Sequence, residues 1–148
     1  MRVERGIRVD RPVQAVFDLV SDATRLPDFF VGLTRWEPST SKLRGKGARF
    51  RVRMKVGGIE AGGEIRIARW EPPRLITWES ERGIPQRGAW RLRQVDGGTE
   101  LRVELEYDLS GGPLGWLVDR LVGRIVGRNL TATLMAARRL LERDAVSG

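Results

Sequence analysis

Apolar and polar residues alternate with period two through the middle of the chain and recur at helical spacing towards both ends. The clearest run is Ala48, Phe50, Val52, Met54 and Val56, interleaved with Arg49, Arg51, Arg53 and Lys55. Successive side chains of a strand point to opposite faces, so this run predicts a strand with one apolar and one wholly basic face. Gly57-Gly58 marks a turn, after which Ile59, Ala61, Gly63, Ile65 and Ile67 share one face while Glu60, Glu64 and Arg66 take the other. In Trp70-Glu71-Pro72-Pro73-Arg74 two prolines remove two ladder donors, which predicts a break in the sheet. Leu75 to Arg82 resumes it. Gly88 to Val95 and Glu100 to Leu109 form an expected hairpin across Asp96-Gly97-Gly98-Thr99, whose glycines supply positive φ. Leu101, Val103, Leu105, Tyr107 and Leu109 face one way and Arg102, Glu104, Glu106 and Asp108 the other. Strands that are half buried throughout imply an antiparallel sheet with one wet side.

At the amino end, Val3 to Val9 reads as a first strand, and Asp10-Arg11-Pro12 as a helix start with Asp10 as the capping acceptor. Val13, Val16, Phe17 and Val20 follow at helical spacing, and this helix is expected to end near Ser21-Asp22. A second short helix is expected over Ala23 to Phe30, although it contains Pro27. At the other end Ser110-Gly111-Gly112-Pro113 opens a long helix running to about Arg143. At 1.5 Å per residue it is roughly 45 Å long. The sheet's dry face needs a cover, and this helix is the one predicted element large enough.

With 148 residues, 41% hydrophobic and 31% charged, the chain has the size and balance of a single globular domain over 1–148. It has no cysteine and no histidine, which removes disulfides, thiol nucleophiles, Ser-His and Cys-His catalytic pairs and the usual zinc and haem sites. No calcium-loop pattern occurs either, so neither metal nor cofactor is expected. The charged amino end, with Arg2, Glu4, Arg5, Arg8 and Asp10, lacks the apolar stretch of a secretory signal and makes a cytoplasmic location the expectation. The 27 Lys and Arg outnumber 19 Asp and Glu, giving +8. Much of that charge stands on strand exteriors, where Glu60, Glu64, Glu104 and Glu106 are placed to neutralise it across strands. No aromatics interleave with it as a stacking platform, so nucleic acid is not the expected partner. Trp116, Arg120 and Arg124 beside the last helix's apolar stripe suit peripheral contact with an anionic membrane surface, though charges interrupt the run too often for a transmembrane span. Gly123 and Gly127, four apart, read as sites of close packing.

The order of strand, two short helices, antiparallel strands and long final helix resembles the START-like, helix-grip fold of the polyketide cyclase/dehydrase and lipid-transport superfamily, which includes the Bet v 1 type. Asp10-Arg11-Pro12-Val13 with Val16-Phe17 and Ser21-Asp22 is similar to that family's first helix, and Leu26-Pro27 to its second. Trp70-Glu71-Pro72-Pro73-Arg74-Leu75-Ile76 resembles its turn before the central strand, and Gly97-Gly98-Thr99-Glu100-Leu101 its last hairpin. The resemblance implies an α+β fold in which a curved antiparallel sheet of six to seven strands wraps around the carboxy-terminal helix and leaves an apolar cavity between them. Such motifs specify fold far better than function.

Polar residues on apolar faces are the candidates for the lining of that cavity. Projected as a helix, Leu114, Leu117, Val118, Leu121, Val122, Ile125, Ala132, Met135 and Ala136 fall on one arc, and Arg128, Asn129 and Arg139 fall there too. A charge or amide on a buried stripe is costly unless paired or facing a ligand, which selects Arg128 and Asn129, with a snorkelling arginine and a core amide as the plain alternatives. Tyr107 lies on an apolar strand face and needs a partner for its hydroxyl, either a ligand or backbone. Trp78, Ser80 and Arg82 continue one strand face, Trp90 lies on its neighbour's, and Phe50 and Met54 are expected as apolar wall. No carboxylate pair has the apolar setting that would tune it for acid-base work; Asp18 with Asp22 and Glu79 with Glu81 read as surface. The expected function is therefore binding or transport of a hydrophobic small molecule such as a lipid, isoprenoid, quinone or polyketide. The alternatives are a metal-independent polyketide cyclase or dehydratase acting through Arg and Tyr hydrogen bonds, and a regulatory protein-interaction module.

Overall fold

The computed structural model describes residues 1–108 and 115–147, the side chains of Ile59, Trp116, Val146 and Ser147 apart. Strand β1 (Arg2–Val9) is followed by helices α1 (Val13–Val20) and α2 (Leu26–Phe29), then by β2 (Leu33–Pro38), β3 (Arg49–Val56), β4 (Ile59–Glu71), β5 (Leu75–Gly83), β6 (Gln86–Val95) and β7 (Gly98–Tyr107), and finally by α3 (Gly115–Ser147). The strands form one antiparallel sheet in the order β1-β7-β6-β5-β4-β3-β2, so the first strand returns to pair with the last.

The period-two runs became strands with the expected faces. Phe50, Ile65, Ile67, Ile76, Trp78, Trp90, Leu92, Leu101 and Val103 are buried on the concave side, while Arg49, Arg51, Arg53 and Lys55 are exposed on the convex one. The hairpin between β6 and β7 turns at Asp96-Gly97, with Gly97 at φ +77° in the left-handed region. Trp70 and Glu71 still pair with Ile76 and Leu75, so the sheet breaks two residues later than predicted, where the prolines themselves begin. Pro12, not Asp10, caps α1, and no side chain accepts a hydrogen bond there. The Asp10 backbone N–H instead donates to Glu142 Oε2 at 3.3 Å and its carboxylate pairs with Arg8. Helix α2 is a single turn, Leu26–Phe29, shorter than the expected Ala23 to Phe30: Pro27 is tolerated in its first turn, and the extended backbone of Phe30 ends it. Leu109, the helix opening at Ser110-Gly111-Gly112-Pro113 and Leu114 lie outside the described residues.

Helix α3 presents a different stripe to the sheet from the one expected. Val126, Leu130, Thr133, Leu134, Ala137 and Leu141 are buried, whereas Leu117, Val118, Leu121 and Met135 are exposed. The helix carries two apolar stripes, and the one with more large side chains in its first half faces outward. Small residues, Gly123, Gly127 and Ala137, stand among the larger Val126, Leu130, Leu134 and Leu141 on the side of α3 that meets the rest of the fold. Gly123 meets Met1 and the Tyr107 hydroxyl, and Gly127 receives the guanidinium of Arg5 from β1.

Candidate functional site

Between the concave face and the helices lie two abutting apolar chambers of about 100 and 130 Å³. The first is set between β2–β6 and the α1–α2 turn, with Trp36, Trp70, Trp78 and Trp90 in its wall. The second lies against α3, walled by Val122, Val126, Asn129 and Leu130 opposite Met54, Ala61 and Tyr107. Phe30, Val52, Met54, Ile65, Gln86 and Leu105 border both. Each chamber is on the scale of the ~150 Å³ apolar cavity that holds benzene in another protein, so the pair has room for a ligand of about two rings or an equivalent chain.

The aromatic wall is held by ring contacts and by one glycine. Trp36 stacks on Phe50 with centroids 4.5 Å apart, and Trp90 meets Phe30 edge-on at 6.0 Å. The Trp78 indole lies directly over Gly88 on β6, where any Cβ would overlap the ring. Its Nε1–H donates to Gln86 Oε1 at 3.4 Å. Thr133, buried on α3, accepts the Val31 backbone N–H at 2.9 Å and so pins the segment after α2 over the cavity.

Of the residues singled out from the sequence, Phe50, Trp78 and Trp90 line the first chamber, Met54 lines both, and Tyr107, Arg82 and Asn129 line the second. Ser80 lines neither, because its hydroxyl accepts the Gln86 N–H at 3.0 Å and ties the ends of the β5–β6 hairpin. Arg128 is exposed on the outward stripe of α3, in a surface groove with Arg5, Arg124 and Met135, and Arg139 is exposed as well. Both follow from the rotated helix. Trp36, Gln86 and Thr133 were not singled out. Thr133 carried a legible signal, since it stands one turn from Asn129 on the same face.

Few polar groups face this region. The buried Tyr107 hydroxyl and Trp36 Nε1 have no hydrogen-bond partner, and Asp119 Oδ1 on α3 is likewise buried and unpartnered. Burial, with the Asp119 carboxylate adding to it, pushes the Tyr107 phenol above its ordinary 10.0. It is thus a neutral donor at physiological pH. Among the described residues no carboxylate lines either chamber; the charged wall residues are Arg44 and Arg82.

A sequence profile described as polyketide cyclase/dehydrase and lipid transport matches residues 1–142. Solved structures superpose over nearly the whole chain. A Thermus thermophilus protein, TTHA0849, has a TM-score of 0.84 at 18% identity, covering 97% of this chain and 99% of its own. The Zhui aromatase/cyclase from a Streptomyces species has a TM-score of 0.79 at 19% identity, covering 98% and 95%. A START superfamily protein from Mycobacterium smegmatis has a TM-score of 0.74 at 15% identity, covering 96% and 97%. A comparison with curated protein sequences found no match.

Proposed function

The chain belongs to the polyketide cyclase/dehydrase and lipid-transport family, and on that premise we propose that it binds and transfers a compact hydrophobic small molecule. The observation that carries this reading is the pair of abutting chambers walled almost wholly by apolar and aromatic side chains. Every 100 Å² of apolar ligand surface taken from water contributes about 2.5 kcal/mol. An uncompensated donor costs about 1–3 kcal/mol. Apolar contact therefore supplies the affinity, and the few polar wall groups choose among ligands of similar shape.

Cyclisation of a polyketide-like chain, the activity in the name of the Streptomyces neighbour, is the second reading. The donors around the chambers suit an oxyanion, but chambers without histidine or carboxylate offer no obvious proton acceptor near neutrality. Binding is favoured for that reason.

Transfer is supported by the outer face of α3. Leu117, Val118 and Leu121 are exposed, Leu121 by 53%, beside exposed Arg120 and Arg124, on the same helix that walls the second chamber. Apolar side chains flanked by cations suit an anionic bilayer surface. No helix among the described residues is long and apolar enough to cross a membrane.

The test is native mass spectrometry of the purified protein, followed by thermal-shift measurement against a panel of hydrophobic ligands. A retained or stabilising ligand is expected, and Leu105→Trp is expected to abolish its binding while circular dichroism stays unchanged. An empty protein that no ligand stabilises overturns the reading. Acceleration of cyclisation of a poly-β-ketone mimic would replace it with the second. Sedimentation with phosphatidylglycerol vesicles but not with phosphatidylcholine vesicles is expected, and is expected to be lost in Leu121→Asp; equal behaviour with both removes the membrane part.

A further inference from the structure

At one end of the second chamber the sheet is unusually bare. Gly62 and Gly63 on β4 stand beside Gly83 on β5, and neither Gly63 nor Gly83 has space for a Cβ, because the neighbouring strand's backbone carbonyl occupies it. Val52, Gly62, Gly63 and Arg82 line the chamber and also line a groove on the convex face, whose remaining walls include Arg35, Arg51, Arg53 and Glu64. Arg82 thus stands where the apolar interior and a basic outer groove meet.

Arg82 and Arg51, both in this groove, stand apart from most arginines of the convex face. Elsewhere on the convex face arginines are matched to carboxylates: Arg66 to Glu81, Arg87 to Glu106, Arg91 to Glu104 and Arg93 to Glu100 lie within 2.6–3.0 Å. Among the described residues, Arg82 and Arg51 have no carboxylate within ion-pair distance. Glu64, opposite Arg82 in register, accepts a hydrogen bond from Ser39 instead. The other charged wall residue, Arg44, sits over the Trp70 ring at 6.0 Å, at the first chamber.

We propose, resting on the hydrophobic-binding reading, that the ligand is an amphipathic carboxylate whose apolar body fills the chambers and whose head group pairs with Arg82 at the glycine-walled end. A guanidinium offers a carboxylate two parallel N–H donors. No acidic side chain lies among the described residues of the chamber walls, and Glu64, which shares the outer groove with Arg82, is the one carboxylate there. Arg51 and Arg53 add long-range attraction that salt weakens.

The experiment compares decanoate, decanol and methyl decanoate, each below its micellar range, by quenching of the tryptophan fluorescence of the full chain. Decanoate is expected to bind about fivefold more tightly than decanol at low salt, a preference that shrinks towards one at high salt. Arg82→Gln is expected to remove the preference by weakening decanoate far more than decanol, and Arg82→Lys to keep part of it. Arg91→Gln, on the paired part of the face, is the control and is expected to keep all of it. Equal binding of all three probes, or an Arg82→Gln variant that weakens decanol and decanoate alike, overturns the head-group assignment and leaves hydrophobic binding standing. Failure of every probe to bind overturns both.

Discussion

The two faces of the one sheet treat polar groups in opposite ways. On the convex face charges are abundant and matched strand to strand, as in Arg91 with Glu104 at 2.8 Å and Arg93 with Glu100 at 2.6 Å. On the concave face they are scarce, and the Tyr107 hydroxyl and Trp36 Nε1 are left unpartnered. Water screens the first set, so its many pairs are individually weak. The second set is shielded from water, so each unmatched group carries a larger cost. Among the described residues the buried groups left unmatched are Tyr107, Trp36 and the Asp119 carboxylate on α3, whereas the +8 charge is largely a property of the wet side.

The strongest way to break the comparison is to fill the concave side. Gly88→Val drives two methyl groups and a Cβ into the Trp78 ring and the Glu104 carbonyl. A loss of about 3 kcal/mol in urea unfolding is expected, together with loss of binding in the first chamber. An unchanged midpoint would mean that the indole does not rest on Gly88.

A titration sharpens it next. Tyr107 is the chain's one tyrosine, so tyrosinate absorbance reports it alone. Its midpoint is expected above 10.0 in the folded protein and close to it in denaturant. Because the folded phenol holds its proton more tightly than the unfolded one, this contribution to stability is complete below pH 10.0 and is lost as pH rises through the folded value. Asp119→Asn is expected to lower the folded midpoint only partly, since burial is the larger cause.

The smallest effect is expected on the convex side. Arg91→Ala breaks an exposed pair with Glu104, which Arg2 also approaches at 3.5 Å. A loss below about 1 kcal/mol, shrinking further in salt, is expected from thermal unfolding. A loss as large as that of Gly88→Val would erase the distinction between the faces.

Strand positions and facing were legible from the sequence because a strand's two faces are set by residue parity alone. The run Ala48 to Val56 could be oriented without knowing its neighbours. The chamber wall was legible to the same extent, through Phe50, Met54, Trp78, Trp90, Arg82 and Tyr107. Ser80 obeyed the same parity but turned its hydroxyl to the Gln86 N–H, a partner created only by the closing of a hairpin.

The long helix was the harder element, since parity has no counterpart on a helix with two apolar stripes. Large side chains at Leu117, Leu121 and Met135 drew the projection outward and took Arg128 with them. What selects the inward stripe is how near the helix can approach the sheet, and that depends on Gly123 and Gly127 meeting Met1, Tyr107 and Arg5. Alternation of residue type thus determined the sheet, its wet and dry faces and most of the cavity wall. The helix's rotation, the unpaired state of Tyr107, Trp36 and Arg82, and the meeting of chamber and basic groove were decided only in the tertiary structure, because each depends on a distance between elements far apart in the chain.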